Sequence, residues 1–217
     1  MPKVSEEYIT KKKIEIIDAA FTIFQRKPLY EMNMLEVIKE AGLSKGGIYR
    51  YYNDIDDVIV ELINRETIKY DYKEGIEKII SSNDKYENII KALFEFLGKH
   101  IDENAMTIGK IQFELTVLEA NQPEKAVKIL SRLNEYEGGQ FLINSLHQKI
   151  AEGVATGEFK PNLPVEDIYL YIRAYIEGVV KIVVFERCYG NKLRSTDAQK
   201  MVGMLAQSVL DMLRQRG

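Results

Sequence analysis

Apolar residues return every three or four positions along almost the whole of this 217-residue chain, and no run shows the clean period of two that a half-buried strand requires. That regularity confines the fold to the all-α class. Ile17, Ala20, Phe21 and Phe24 fall at i, i+3, i+4 and i+7, which predicts a first helix over residues 7–27, stopped by Pro28. Met34, Val37, Ile38 and Ala41 repeat the spacing on a second, shorter helix. Asn33, with Glu36 three residues later, marks its start. Gly42 marks its end, since glycine enters the left-handed conformation without strain. Ser44 is placed to cap a third short helix with Ile48 and Tyr52 on its inner face. Asp54 caps a fourth, with Asp57 in the capping-box position and Ile55, Val58, Ile59, Leu62 and Ile63 along its buried side. Farther on, helices are predicted over 85–104, 106–121, 123–157, 165–187 and 196–216, with a polar connector at 81–84 and breaks at Pro161 and Pro164. The expected architecture is a small N-terminal head of three helices, residues 1–53, followed by a larger helical body, residues 54–217.

Charge and composition narrow what such a chain can do. The net charge is −3, so no global field draws it to nucleic acid, and any such contact must come from a local patch. Residues 1–53 carry nine basic and seven acidic side chains, and Lys11, Lys12, Lys13, Lys45 and Arg50 are the bases that one surface can gather. Cys188 is the single cysteine, which excludes an intramolecular disulfide and suits a reducing cytoplasm. The opening residues have no apolar run of the signal-peptide kind, and Lys181 interrupts the longest apolar stretch. A soluble chain with no membrane partner is expected. Two histidines lie far apart, and neither a metal-ligand cluster nor a nucleophile elbow nor a glycine-rich phosphate loop is present. No enzyme, cofactor or metal site is expected.

Residues 33–52 carry the functional signal. A helix of about two turns, the turn Ala41-Gly42-Leu43-Ser44 and a helix opening Lys45-Gly46-Gly47 have helix-turn-helix spacing. Entry into a major groove needs a slim N-terminal turn with outward polar side chains. Gly46 and Gly47 remove bulk there, at a cost of about 1 kcal/mol each in helix propensity. Ser44 and the first-turn amides suit a phosphate, and Lys45, Tyr49 and Arg50 point outward. Spacing alone leaves a second reading open, because many glycine-turn helical hairpins simply pack.

The segment 14–63 resembles the helix-turn-helix of the tetracycline-repressor (TetR/AcrR) family. The matching residues are Ile16 to Phe24, Asn33 to Ile38, and Ala41-Gly42-Leu43-Ser44-Lys45-Gly46-Gly47-Ile48-Tyr49-Arg50-Tyr51-Tyr52. The resemblance implies a ligand-responsive DNA-binding regulator, a homodimeric repressor released from a palindromic double-stranded operator by a small, mostly apolar inducer. It implies DNA contacts from Asn33, Ser44, Lys45, Gly46, Gly47, Tyr49, Arg50 and Tyr51, and from Lys11, Lys12 and Lys13, which with Lys45 are expected to supply much of the phosphate neutralisation. Two departures stand out. Pro28 replaces the family's usual glycine, so the first helix must end without a left-handed residue. Ile55 replaces a common phosphate-contacting lysine and, with Asp54, Asp56 and Asp57, is expected to make that edge acidic and weaken backbone contact.

In the body, Ile108, Ile111, Phe113, Leu115, Val117 and Leu118 surround nearly the whole of one helix, which places it centrally. By resemblance this region lines an inducer pocket. Its expected lining is Phe94, Phe113, Val117, Phe141, Tyr175 and Val179, with Glu114 or Glu177 as polar anchors; the alternative is that the aromatics are core and Glu114 a partly exposed carboxylate. The last two helices each carry a long apolar face, which fits packing within one subunit or, as the resemblance implies, a four-helix dimer bundle. A rival of another class is a helical interaction or lipid-carrier protein whose N-terminal hairpin never meets DNA.

Overall fold

The structure is a computed structural model that describes residues 5–69, 72–134, 138–190 and 196–214. Every regular element among the described residues is helical. In chain order they are α1 (Glu6–Arg26), α2 (Met34–Glu40), α3 (Lys45–Ile48), α4 (Ile55–Ile68), α5 (Lys73–Ile80) and α6 (Tyr86–Asn104). Then follow α7 (Lys110–Asn121), α8 (Pro123–Leu130), α9 (Gly138–Ala155), α10 (Val165–Cys188) and α11 (Ala198–Leu213). A 3-10 turn, Leu29–Glu31, follows α1, and a π-helical turn, Ala105–Gly109, precedes α7. The helices form two compact units: residues up to 69 with 111–135, and residues 70–110 with 136–217.

In the first unit the periodic residues of the sequence become the core. Ile16, Ala20 and Phe24 of α1, Val37 of α2, Ile48 of α3 and Val58, Ile59 and Leu62 of α4 are all fully buried. Each such side chain contributes about 1.5–3 kcal/mol of transfer free energy. The predicted caps are in place. Asn33 Oδ1 accepts the Glu36 N–H (3.1 Å) at the start of α2. Gly42 takes φ +63° at its end, with the Leu43 N–H reaching back to the Ile38 carbonyl (3.1 Å). α1 ends on extended Lys27 before Pro28, with no left-handed residue.

The second unit is built around α6, which packs on α11, α9 and α5. A Cβ at Gly98 would meet the Gln199 Cα at 2.9 Å, so the absence of a side chain sets the close approach of α6 to α11. The apolar face of α11 turns inward on this contact: Ala198, Val202, Leu205, Val209 and Leu213 are fully buried within the chain. Most of that face therefore packs within the subunit, as do Ile168, Ile172 and Val179 of α10.

Three expectations about helix extents need correction. The single helix predicted over 123–157 is two, α8 and α9, because the chain leaves the helical path after Ser131, which closes α8 through its N–H to the Val127 and Ile129 carbonyls. α5 was not anticipated; its signal is the short Ile76, Ile79, Ile80 stripe, of which only Ile76 is fully buried. The break predicted at Ala105 is instead a π-helical turn leading into α7.

Candidate nucleic-acid interface

α3 is short because its cap and its core residue lie only four positions apart. Ser44 Oγ accepts the Gly47 N–H (3.1 Å), which starts the helix, and Ile48 anchors it in the core of the first unit. On this helix and in the three residues after it, Lys45, Gly46, Tyr49 and Arg50 are exposed and Tyr51 is half-buried. Tyr49 keeps 45% of its surface in solvent, whereas Tyr52 three residues on keeps 3%. The sequence reading of this helix, with Ile48 and Tyr52 inward and Tyr49 outward, matches these positions.

Gly46 and Gly47 differ. A Cβ at Gly46 would meet nothing within 4 Å, and its backbone is ordinary. A Cβ at Gly47 would lie 3.2 Å from Ser44 Oγ and crowd the cap. Gly47 therefore has a reason inside the protein, while Gly46 has none there.

Charges in the head divide into committed and uncommitted. Lys13 pairs with Glu61 of α4 (3.1 Å) and lies over the Tyr52 ring (5.3 Å). Lys12 pairs with Glu15 (2.5 Å), Arg26 with Glu40 (2.9 Å) and Lys27 with Glu36 (2.7 Å). Among the described residues Lys11, Lys45 and Arg50 make no ion pair and are exposed. Two of the three lysines in the 11–13 run thus already have acidic partners. Asn33 and Ser44 spend side-chain oxygens on caps, and Asn33 Nδ2 donates to Glu36 Oε2 (3.0 Å).

The acidic start of α4 is not the bare negative edge that the sequence implied. Asp54 Oδ1 accepts the Asp57 N–H (3.0 Å) and so caps the helix. Asp57 Oδ2 accepts the Asn53 N–H (2.8 Å), and the remaining carboxylate oxygens meet bases carried by α8 and the residues just after it. Lys128 reaches Asp54 (3.1 Å) and Asp56 (2.9 Å), Lys125 reaches Asp56 (3.6 Å), and Arg132 reaches Asp57 (2.5 Å). Burial opposes ionisation of Asp54, but the Asp57 N–H and the Lys128 ammonium overcome it and hold its carboxyl below the usual range. At Asp57 the same opposition from burial is overcome by the Asn53 N–H and the Arg132 guanidinium. Sequence distance hid these partners, which lie about seventy residues away.

Residues expected to line a ligand pocket fall in both units. Phe113, Glu114 and Val117 lie on α7 in the first; Phe94, Phe141, Tyr175, Glu177 and Val179 belong to the second. Glu114 is 2% exposed, and its Oε2 accepts the Leu29 N–H (3.2 Å), satisfying a backbone donor of the 3-10 turn. Phe94 and Val179 are fully buried, and Phe141 carries the Lys73 ammonium over its ring at 5.7 Å. Glu177 is exposed beside Arg173 (3.0 Å), and both border a groove of about 760 Å³ that also meets Ile143, His147, Tyr169 and Ile176. No described helix is long and apolar enough to cross a membrane.

Residues 16–62 match the family described as bacterial regulatory proteins, tetR family. The chain is 25% identical over 187 residues to the uncharacterized HTH-type transcriptional regulator YfiR of Bacillus subtilis (strain 168), covering 85% of each. It is 24% identical over 156 residues to the fatty acid metabolism regulator protein of the same organism, covering 71% of this chain and 74% of that one. The solved structure of the fatty acid degradation regulator FadR from Bacillus halodurans aligns with a TM-score of 0.60 at 23% identity, over 99% of this chain and 100% of that one. FadR from Bacillus subtilis in complex with stearoyl-CoA aligns with a TM-score of 0.59 at 18% identity, over 93% and 99% respectively. At these identities the structures speak for a shared fold.

Proposed function

We propose, for a chain that is a TetR-family DNA-binding transcriptional regulator and not an enzyme, that it acts as a homodimeric repressor whose operator is released by a small, mostly apolar ligand. The observation that carries the DNA part is Gly46. It is an exposed helical glycine facing open space, flanked by the uncommitted Lys45 and the outward Tyr49. Its cost of about 1 kcal/mol has no return within the free protein. A surface that must come close to this backbone supplies the reason, and a duplex groove is such a surface. Lys45, Gly46, Gly47, Tyr49, Arg50 and Tyr51 then form the base- and phosphate-contacting set, and Asn33 and Ser44 hold their helices in register for it.

The dimer reading draws on two more glycines. Gly178 of α10 and Gly203 of α11 also face open space. Exposed apolar side chains flank them: Ile182, Phe185 and Met204. A second copy laid on this surface would bury the apolar side chains and bring helices close at the glycines. A symmetric dimer is also the form that engages a palindrome, one recognition helix to each half-site. The names of the FadR relatives support a fatty-acyl ligand class, for which Phe94, Phe141, Tyr175 and Val179 of the second unit supply apolar surface and Glu177 a polar end. Release requires the ligand to favour the DNA-free state, since equal affinity for both states shifts nothing.

The test is a fluorescence-anisotropy titration of the protein on duplexes selected from a randomised library, repeated with acyl-CoA thioesters of increasing chain length. Enrichment of an inverted repeat that acyl-CoA dissociates supports the reading. No enrichment over mixed-sequence DNA would leave the helical carrier as the better account.

A further inference from the structure

Both histidines of the chain, His100 and His147, belong to the second unit, and the first unit has none. Histidine is the side chain whose ordinary pKa falls between pH 5 and 8, so mild acid reaches the second unit through a group that the first unit lacks. His100 lies near the end of α6, and its ring meets the Tyr72 ring edge-on at the start of α5, with centroids 4.1 Å apart. Phe96, one turn earlier, meets the same tyrosine at 5.9 Å, and a Cβ at Gly75 of α5 would lie 3.0 Å from the Phe96 ring. α5 packs on α6 and α9, with Ile76 fully buried.

The His100 ring is also tied to Asn104. Asn104 Nδ2 lies 2.9 Å from the His100 carbonyl oxygen and 3.0 Å from His100 Nδ1. A carbonyl oxygen only accepts, so the amide nitrogen has to be turned toward it, which fixes the orientation of the amide. An amide N–H only donates, so Nδ1 is the acceptor and the ring proton sits on Nε2. A second proton on Nδ1 would set donor against donor. Turning the amide over would relieve that contact only by facing Asn104 Oδ1 with the His100 carbonyl. Asn104 is 6% exposed, which leaves water little room to replace the lost bond. Burial lowers the histidine pKa, and Glu103, paired with Lys99 at 3.7 Å, opposes this without reversing it. Among the described residues no other charged group bears on the ring. From α5, the Lys73 ammonium lies over the Phe141 ring of α9 (5.7 Å), and the π-helical turn after Asn104 carries no ionisable side chain.

We propose that His100 is a proton-operated latch: the neutral ring, bonded to Asn104 and seated against Tyr72, keeps α5 on α6, and protonation at Nδ1 releases α5 while the first unit stays folded. The charged ring has to turn its new Nδ1–H away from the Asn104 amide and toward water, and that turn takes it off Tyr72. In the released form the ring has the ordinary value of about 6.5, whereas in the latched form it lies lower. The released form therefore binds more protons. The latch is fully closed above about 6.5 and is lost as pH falls toward the latched value. Over that interval the opening constant rises by up to about tenfold per pH unit, the slope of one proton. A proton thereby becomes an input to the second unit that is separate from any ligand.

The experiment uses the full chain labelled with nitrogen-15, between about pH 5 and about pH 8. Long-range proton–nitrogen spectra give the tautomer and titration midpoint of each histidine. Amide hydrogen exchange, divided by the intrinsic rate at each pH, follows the opening of α5 against that of α1. Neutral His100 is expected to carry its proton on Nε2 and to titrate below about 6.5. The α5 amides should exchange up to about tenfold faster for each pH unit lost, with α1 unchanged. His100→Gln should abolish that pH dependence, and His147→Gln should leave it intact. Asn104→Ala should raise the His100 midpoint toward the ordinary value, because the donor that opposes Nδ1 protonation is gone. A neutral ring with its proton on Nδ1 overturns the proposal, as does a midpoint at or above the ordinary value. So does α5 exchange that stays flat while His100 titrates, or α1 exchange that accelerates as much as α5. A midpoint unmoved in Asn104→Ala would make burial alone responsible and remove Asn104 from the latch, which also overturns it.

Discussion

Gly46 and Ile48 sit two residues apart on α3 and answer to opposite demands. Ile48 is fully buried, and its replacement by alanine leaves a cavity in the core of the first unit, where α3 packs on α2. We expect Ile48→Ala to cost about 2–5 kcal/mol and to lower the melting temperature plainly. Gly46 meets nothing, so Gly46→Ala should raise stability by up to about 1 kcal/mol through helix propensity while weakening operator binding. A variant that is both more stable and unimpaired on DNA would remove close approach as the reason for this glycine. Tyr49 belongs with Gly46. Its loss should leave the melt unchanged and cost about 1–3 kcal/mol per half-site on DNA. Paired melting and anisotropy measurements separate the two classes, and early melting of Tyr49→Ala would mean that its ring packs rather than reads.

The start of α4 is held by a neighbour that comes far later in the chain. Asp54, Asp56 and Asp57 face Lys125, Lys128 and Arg132, so the edge is close to neutral where isolated carboxylates would have repelled a phosphate backbone. Asp54 and Asp57 have depressed folded-state pKa values. Their contribution to stability is therefore fully present above the unfolded value of about 3.9 and is lost as pH falls through their lower folded values. Arg132→Gln should melt roughly 2–4 °C below wild type at neutral pH, the shift that about 1 kcal/mol produces in a chain of this size. The two curves should converge in acid strong enough to protonate both carboxylates, below their depressed folded values. A gap that persists in acid would assign the loss to packing of the guanidinium rather than to its charge. α7 ties into the same unit through Glu114, whose carboxylate serves the Leu29 N–H. Glu114→Ala should cost about 1–3 kcal/mol by leaving that buried donor unsatisfied.

For the whole molecule, the exposed apolar surface of α10 and α11 is the feature that a lone subunit does not explain. Phe185 is 57% exposed and Met204 59%. Phe185→Asp should yield a folded monomer by analytical ultracentrifugation, with operator affinity falling steeply because one half-site is engaged at a time. A Phe185→Asp protein that stays dimeric would place the interface elsewhere. Operator affinity should also fall with salt, by roughly 10³–10⁵ between 50 and 200 mM if six to ten phosphates are neutralised. The head's uncommitted bases, Lys11, Lys45 and Arg50, should account for more of that slope than Lys13, which already faces Glu61.

Local physics wrote much of this protein into its sequence. The caps at Asn33, Ser44 and Asp54, the left-handed Gly42 and the buried stripes of α1 through α4 each depend on residues within about one turn of one another, so spacing alone reveals them. The outward face of α3 follows from the same short-range rule, because Ile48 and Tyr52 must point inward. What tertiary structure decided is everything that depends on residues meeting from far apart. The neutralisation of the α4 edge by α8 and Arg132 joins groups some seventy positions apart, and no periodicity encodes it. The same holds for the Leu29 N–H on Glu114 and for the inward turn of the α11 face against α6 at Gly98. An apolar stripe states that a helix must be covered but not by what. An ionised side chain states that it needs a partner or water but not which. Those choices are made only when the chain closes on itself, because burial and pairing energies depend on the distance in space that sequence separation does not set.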